Sequence, residues 1–184
     1  MQGGNQGGNL SLNFPGTALG GEILLAKALI IGYGNVDRQD DGVAWHILAG
    51  LCRKLGRPVP GSPDDEFENP GSSPDLYFFL QLTPELAEII APYDRVCFVD
   101  AHTGSVPDDL HKSKVIPEYQ SSPFTHHMTP ATTLSLVTTI YQREIDGFLV
   151  SVRGYEFGFS HVLSPDTARL AEQAVEEIYN WLQV

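Results

Sequence analysis

Lys27-Ala28-Leu29-Ile30-Ile31-Gly32-Tyr33-Gly34-Asn35, followed by Asp40-Asp41-Gly42-Val43, is the stretch on which the fold of this chain turns. Its apolar run, Lys27 to Tyr33, ends at Gly32 and Gly34 and reads as a buried strand closed by a tight turn. From Val43 the period changes: Val43, Ala44, Ile47, Leu48, Leu51, Cys52 and Leu55 recur at helical spacing and predict a helix with one buried face. Gly56 and Pro58 end it.

The same alternation continues downstream. Arg57 to Pro74, rich in Pro, Gly, Ser and acidic residues, reads as a long connection. Leu76 to Leu80 reads as a second strand, and Thr83-Pro84 predicts a helix start with Thr as N-cap and Pro at the first helical position. Arg95 to Val99 is a third strand, apolar on both faces and ending at Asp100. Lys112 to Ile116 reads as an edge strand, and Thr129-Pro130 opens a helix running to about Tyr141. Phe148 to Val152 is another strand, and Ser164-Pro165 opens a last helix with Ala171, Ala174, Val175, Ile178, Trp181 and Leu182 as its buried stripe. Strands alternating with helices predict a three-layer α/β/α sandwich around a mostly parallel or mixed sheet. In such sheets functional groups collect at the carboxyl ends of the strands.

Composition narrows the functions. A chain of 184 residues with 42% hydrophobic content fits one domain with a substantial core. A net charge of -12 makes nucleic acid and anionic membrane surfaces poor partners. Cys52 and Cys97 form no C-x-x-C pair and suit a reducing compartment. Residues 1–22, rich in Gly, Asn and Gln, read as a flexible tail before a single domain over 23–184. No Lys or Arg precedes Lys27, so the charged start of a signal peptide is missing, and the expected location is the cytoplasm.

Three groups of residues could carry chemistry. Gly32-x-Gly34 lacks the third glycine of a dinucleotide fingerprint, since Asp37 stands there, and the nearby aspartates would repel a pyrophosphate. Asp40 or Asp41 could cap the following helix or serve as a metal ligand; spacing leaves both readings open. Asp100 follows an apolar strand, either as a rim carboxylate or as a turn residue before Thr103-Gly104. Thr125-His126-His127-Met128 supplies imidazoles just before a helix start. Two carboxylates and an imidazole with open positions form a mixed O/N set suited to a divalent transition metal, which can polarise a carbonyl or activate water. Neither a serine-nucleophile elbow nor an H-E-x-x-H motif is present, so a hydrolase built on this chain would use a metal route.

With these motifs in place the chain resembles the hydrogenase maturation proteases. Ile30-Ile31-Gly32-Tyr33-Gly34-Asn35 through Asp40-Asp41-Gly42 looks like that family's first signature. Phe98-Val99-Asp100-Ala101 is similar to its central strand and aspartate, and Thr125-His126-His127-Met128 to its histidine motif. Leu82-Thr83-Pro84-Glu85-Leu86 and Leu163-Ser164-Pro165 are similar to weaker family features. The resemblance implies a metal-dependent endopeptidase that trims the C-terminal peptide of a nickel–iron hydrogenase large-subunit precursor after nickel insertion. It implies Asp41, Asp100 and His126 as the residues that engage the metal and support cleavage, with His127 as the alternative imidazole. Some members carry Glu at the first position, where this chain has Asp41. The nickel would arrive with the substrate, and zinc or cadmium could take its place in a crystal. The expected protein is a monomer whose partner is the precursor. The reading from another class is a non-catalytic assembly factor that grips the nickel-loaded subunit without cutting it.

Overall fold

β1 (Ala28–Tyr33) lies at the centre of the molecule because both its faces are apolar. Leu29 and Ile31 face one core cluster and Ile30 the other, the period-two division expected of a strand covered on both sides. The computed structural model describes residues 26–71, 73–119 and 128–184. The tail over 1–22, His126 and His127 lie outside the described residues.

β1 pairs in parallel with β2 (Asp75–Phe79) on one side and with β3 (Arg95–His102) on the other. β3 continues in parallel to β5 (Asp146–Arg153), and β4 (Leu110–Val115) closes the edge antiparallel to β5. The sheet order is β2-β1-β3-β5-β4, a mixed five-stranded sheet. Among the described strands, the predicted edge strand is the one antiparallel member.

Helices cover both faces. α1 (Val43–Lys54) and α4 (Pro165–Leu182) share a cluster with Ile30, Cys97, Val99, Val150 and Val152. On the other face α2 (Leu86–Ile90) and α3 (Pro130–Tyr141) pack with Leu29, Ile31, Val96 and Phe98. Each fully buried Leu, Ile or Phe contributes about 1.5–3 kcal/mol of burial free energy. The two layers of helices together therefore fix the sheet. The chain is the expected three-layer α/β/α sandwich. Both cysteines are buried and free.

Punctuation read from the sequence holds at three helix ends and fails at one. After α1, the Arg57 amide donates to the Cys52 carbonyl at 2.8 Å and the Gly56 amide to Arg53 at 3.2 Å, the paired bonds of a Schellman stop. Thr129 caps α3 by accepting the Thr132 amide at 3.2 Å, and Ser164 caps α4 by accepting the Thr167 amide at 3.4 Å. Thr83 does not cap α2, which starts at Leu86 after Glu85 with no side-chain cap. The Thr83 and Pro84 carbonyls instead accept the Leu86 and Ala87 amides at 3.2 Å, so the chain enters α2 through a tighter turn.

β3 also departs from the sequence reading. It does not stop before Asp100 but runs on to His102. Pairing with β5 holds the extra residues: Asp100 faces Ser151, His102 faces Arg153, and the Gly154 amide donates to the His102 carbonyl at 2.9 Å. Asp100 is thus a strand residue, not a turn residue before Thr103-Gly104.

Candidate active site

The strand order reverses between β1 and β3, since β1 leads outward to β2 on one side and β3 outward to β5 on the other. The carboxyl ends of such a pair open a crevice, the usual place for a site in this architecture. Tyr33 ends β1, and its hydroxyl donates to Asp100 Oδ2 at 2.8 Å. Gly32 is in register with Val99, and Asp100 with Ser151, so Tyr33, Asp100 and Ser151 occupy one row across three strands.

Asp100 is held in an uncomfortable setting. Burial pushes its carboxyl above the ordinary carboxylate range. Hydrogen bonding from Ser151 and Tyr33 and the nearness of His102 oppose that rise, while the negative charge of Asp41 adds to it. Its Oδ1 atom is buried without a hydrogen-bond partner among the described residues. The Tyr33 phenol is pushed far up by burial, then by the adjacent Asp100 charge and the bond it donates. Tyr33 therefore stays a neutral donor.

Asp41 arrives from the turn after β1. It lies in a 3-10 turn over Gln39–Gly42, half-buried, and its Oδ2 accepts the Asn35 amide at 3.3 Å. The turn depends on Gly34, whose φ is +141° and whose added Cβ would stand 2.1 Å from the Asp41 carbonyl oxygen. Only glycine tolerates both conditions. Gly34→Ala is expected to cost about 1–3 kcal/mol in backbone strain alone, before any collision, and to displace Asp41. Thermal unfolding would check it; an alanine variant with the wild-type Tm would show that the turn can relax.

Asp40, the neighbour that spacing could not separate from Asp41, has a different task. It is 0% exposed. Its Oδ1 accepts the Ser164 amide, and its Oδ2 accepts the Tyr155 and Glu156 amides, all at 2.8 Å. The Ser164 and Thr167 hydroxyls donate to Oδ2 at 2.6 and 2.8 Å. Burial alone would raise its pKa, but the hydrogen bonds from Ser164, Glu156 and Tyr155 outweigh it and hold the carboxyl below its ordinary value. Asp40 ties the β5–α4 connection to the turn that carries Asp41. Neither aspartate caps α1, whose N-cap is Gly42 without a side-chain bond.

Asp41 follows β1 and Asp100 lies near the end of β3, strands that pair in parallel, and the negative charge of Asp41 acts on Asp100. The third predicted residue, His126, and its alternative His127 lie outside the described residues. Among the described residues no group of three or more His, Cys, Asp or Glu side chains is placed to hold a metal ion. Sequence reading missed Tyr33, Ser151 and His102. Ser151 was legible as the one polar residue in Leu149-Val150-Ser151-Val152, since a polar group in a buried strand needs a partner. Tyr33 was hidden between two glycines read only as a turn.

No family model and no curated protein sequence matches this chain. Solved structures do. It is similar to the NiFe hydrogenase maturation protease HycI from Thermococcus kodakarensis KOD1, with 20% identity and a TM-score of 0.57 over 86% of this chain and 94% of that one. It is also similar to the hydrogenase maturating endopeptidase HybD from E. coli, with 19% identity and a TM-score of 0.58 over 85% and 92%. A hydrogenase 2 maturation peptidase from Thaumarchaeota archaeon SCGC_AB-539-E09 matches with 18% identity and a TM-score of 0.56 over 85% and 98%. Sequence motifs, sheet order and these likenesses agree that the chain has the fold of the nickel–iron hydrogenase maturation proteases.

Proposed function

We propose that this chain is a metal-dependent endopeptidase that removes the C-terminal peptide of a nickel–iron hydrogenase large-subunit precursor after nickel insertion. The observation that carries the reading is the buried Asp100, with one unpartnered carboxylate oxygen and Asp41 close by, at the switch point of this particular fold. Two carboxylates that repel each other in a partly dry crevice are relieved by a cation. Oxygen donors of this kind with an imidazole suit a divalent transition metal.

In this reading Asp41, Asp100 and His126, or His127 in its place, engage nickel already held by the substrate. The metal is therefore recognised as part of the precursor. Bound in this way, it can polarise a neighbouring carbonyl or lower the pKa of water. Tyr33 orients Asp100, and Asp40 and Gly34 hold the turn that presents Asp41.

The expected result is efficient trimming of nickel-loaded precursor and little or none of the same precursor without nickel. Mass spectrometry of the large subunit after incubation with purified protein would read it. Equal cutting of nickel-free precursor by metal-stripped protein would overturn the substrate-borne metal. Stable binding of the loaded precursor without any cut would make the chain an assembly factor instead.

A further inference from the structure

His102 ends β3 two residues after Asp100, so both belong to the same face of the strand. It is only 8% exposed. Its Nδ1 accepts the Gly104 amide at 3.1 Å. A neutral imidazole has one lone pair and one N–H. The lone pair is committed to Gly104, so the hydrogen-bond network assigns the proton to Nε2. That Nε2 is buried and has no hydrogen-bond partner among the described residues. A buried donor left unmet is destabilising, and native proteins keep few of them. Asp100 Oδ1, on the same stretch of strand, is a buried acceptor equally unmet.

We infer that His102 is a substrate-binding residue whose Nε2–H donates to a backbone carbonyl oxygen of the bound peptide. This rests on the proposed endopeptidase reading and adds a residue to its site. Three other roles do not fit that proton and its surroundings. An Nε2 that carries a proton has no lone pair for a metal, so His102 is not a further ligand. It is not a base for the same reason. A carboxylate or phosphate on the substrate would meet the charges of Asp41 and Asp100, whereas a carbonyl is an acceptor without net charge. A peptide chain laid along the end of β3 presents such oxygens at every residue.

The test compares His102→Phe and His102→Gln with the wild-type protein in cleavage of nickel-loaded precursor. Phenylalanine keeps a flat ring and removes the donor, so kcat/KM should fall about tenfold or more. Its Tm should hold or rise, because an unmet buried donor is gone and the exposed Gly104 amide can turn to water. Glutamine places an N–H where Nε2 stood and should recover most of the loss, a rescue that separates donation from packing even if the phenylalanine ring disturbs folding. In the wild-type protein, nitrogen NMR of the His102 ring should show the Nε2–H form, shifted on addition of loaded precursor. Wild-type kcat/KM in the phenylalanine variant, failure of glutamine to rescue, or an Nδ1–H ring would each overturn the inference. Failure of the wild-type protein itself to cut loaded precursor would overturn the endopeptidase reading, an outcome the comparison of variants cannot imitate.

Discussion

Asp100→Asn should lower cleavage of nickel-loaded precursor by about 10³-fold, the loss typical of removing one preorganised electrostatic contact, while folding survives. The amide keeps the shape of the carboxylate, and its oxygen can still accept the Tyr33 hydroxyl, 2.8 Å away in the native protein. What disappears is the charge that a cation needs. The same charge is a burden to the folded state, because burial raises the Asp100 pKa above its unfolded value. The sign follows directly. At neutral pH the ionised side chain disfavours folding, and that cost is relieved as pH falls through the raised folded value. Asparagine has no such dependence. Its Tm should therefore equal or slightly exceed the wild type at pH 7, with the gap closing as pH falls below the ordinary aspartate value of about 3.9. Thermal melts across pH, beside a cleavage assay, would check both parts. Wild-type cleavage by the variant would reduce Asp100 to a structural residue of β3.

Asp40→Ala should do the reverse, with its largest effect on stability. It strips the acceptors from three amides and two hydroxyls around a side chain that is itself 0% exposed. Breaking a buried network of this kind costs on the order of 3–5 kcal/mol. In a domain of this size that corresponds to a fall in Tm of about 10 °C or more. The native Asp40 pKa is lowered, so its contribution is complete above the unfolded value of about 3.9 and is lost as pH falls through the folded value. The variant should thus lose its disadvantage only in acid. Asp41→Asn, one residue on, should melt close to wild type yet fail to process precursor. An Asp40→Ala protein as stable as the wild type would show that the β5–α4 connection is anchored elsewhere.

That contrast marks the boundary between what a single sequence can carry and what it cannot. The local sequence by itself determined most of the elements, though not the start of α2 or the end of β3. Short continuous apolar runs in β1 and β5, the period of α1 and α4, and the Thr-Pro and Ser-Pro starts of α3 and α4 are properties of neighbouring residues, and they specify the layered α/β class. The motifs also placed Asp41 and Asp100 at one rim, because chain order and parallel pairing leave them little choice. Tertiary structure decided which of two adjacent aspartates is buried as a strut, because Asp40 takes its partners from residues 155–167, far along the chain. It decided that β3 passes through Asp100 to His102, because β5 supplies the ladder that extends it. It also decided the surroundings of Tyr33 and His102, since a hydrogen bond between strands and a buried unmet donor exist only once the chain is folded. Propensity acts over a few residues, whereas burial, pKa and hydrogen-bond satisfaction depend on what distant segments bring against a side chain.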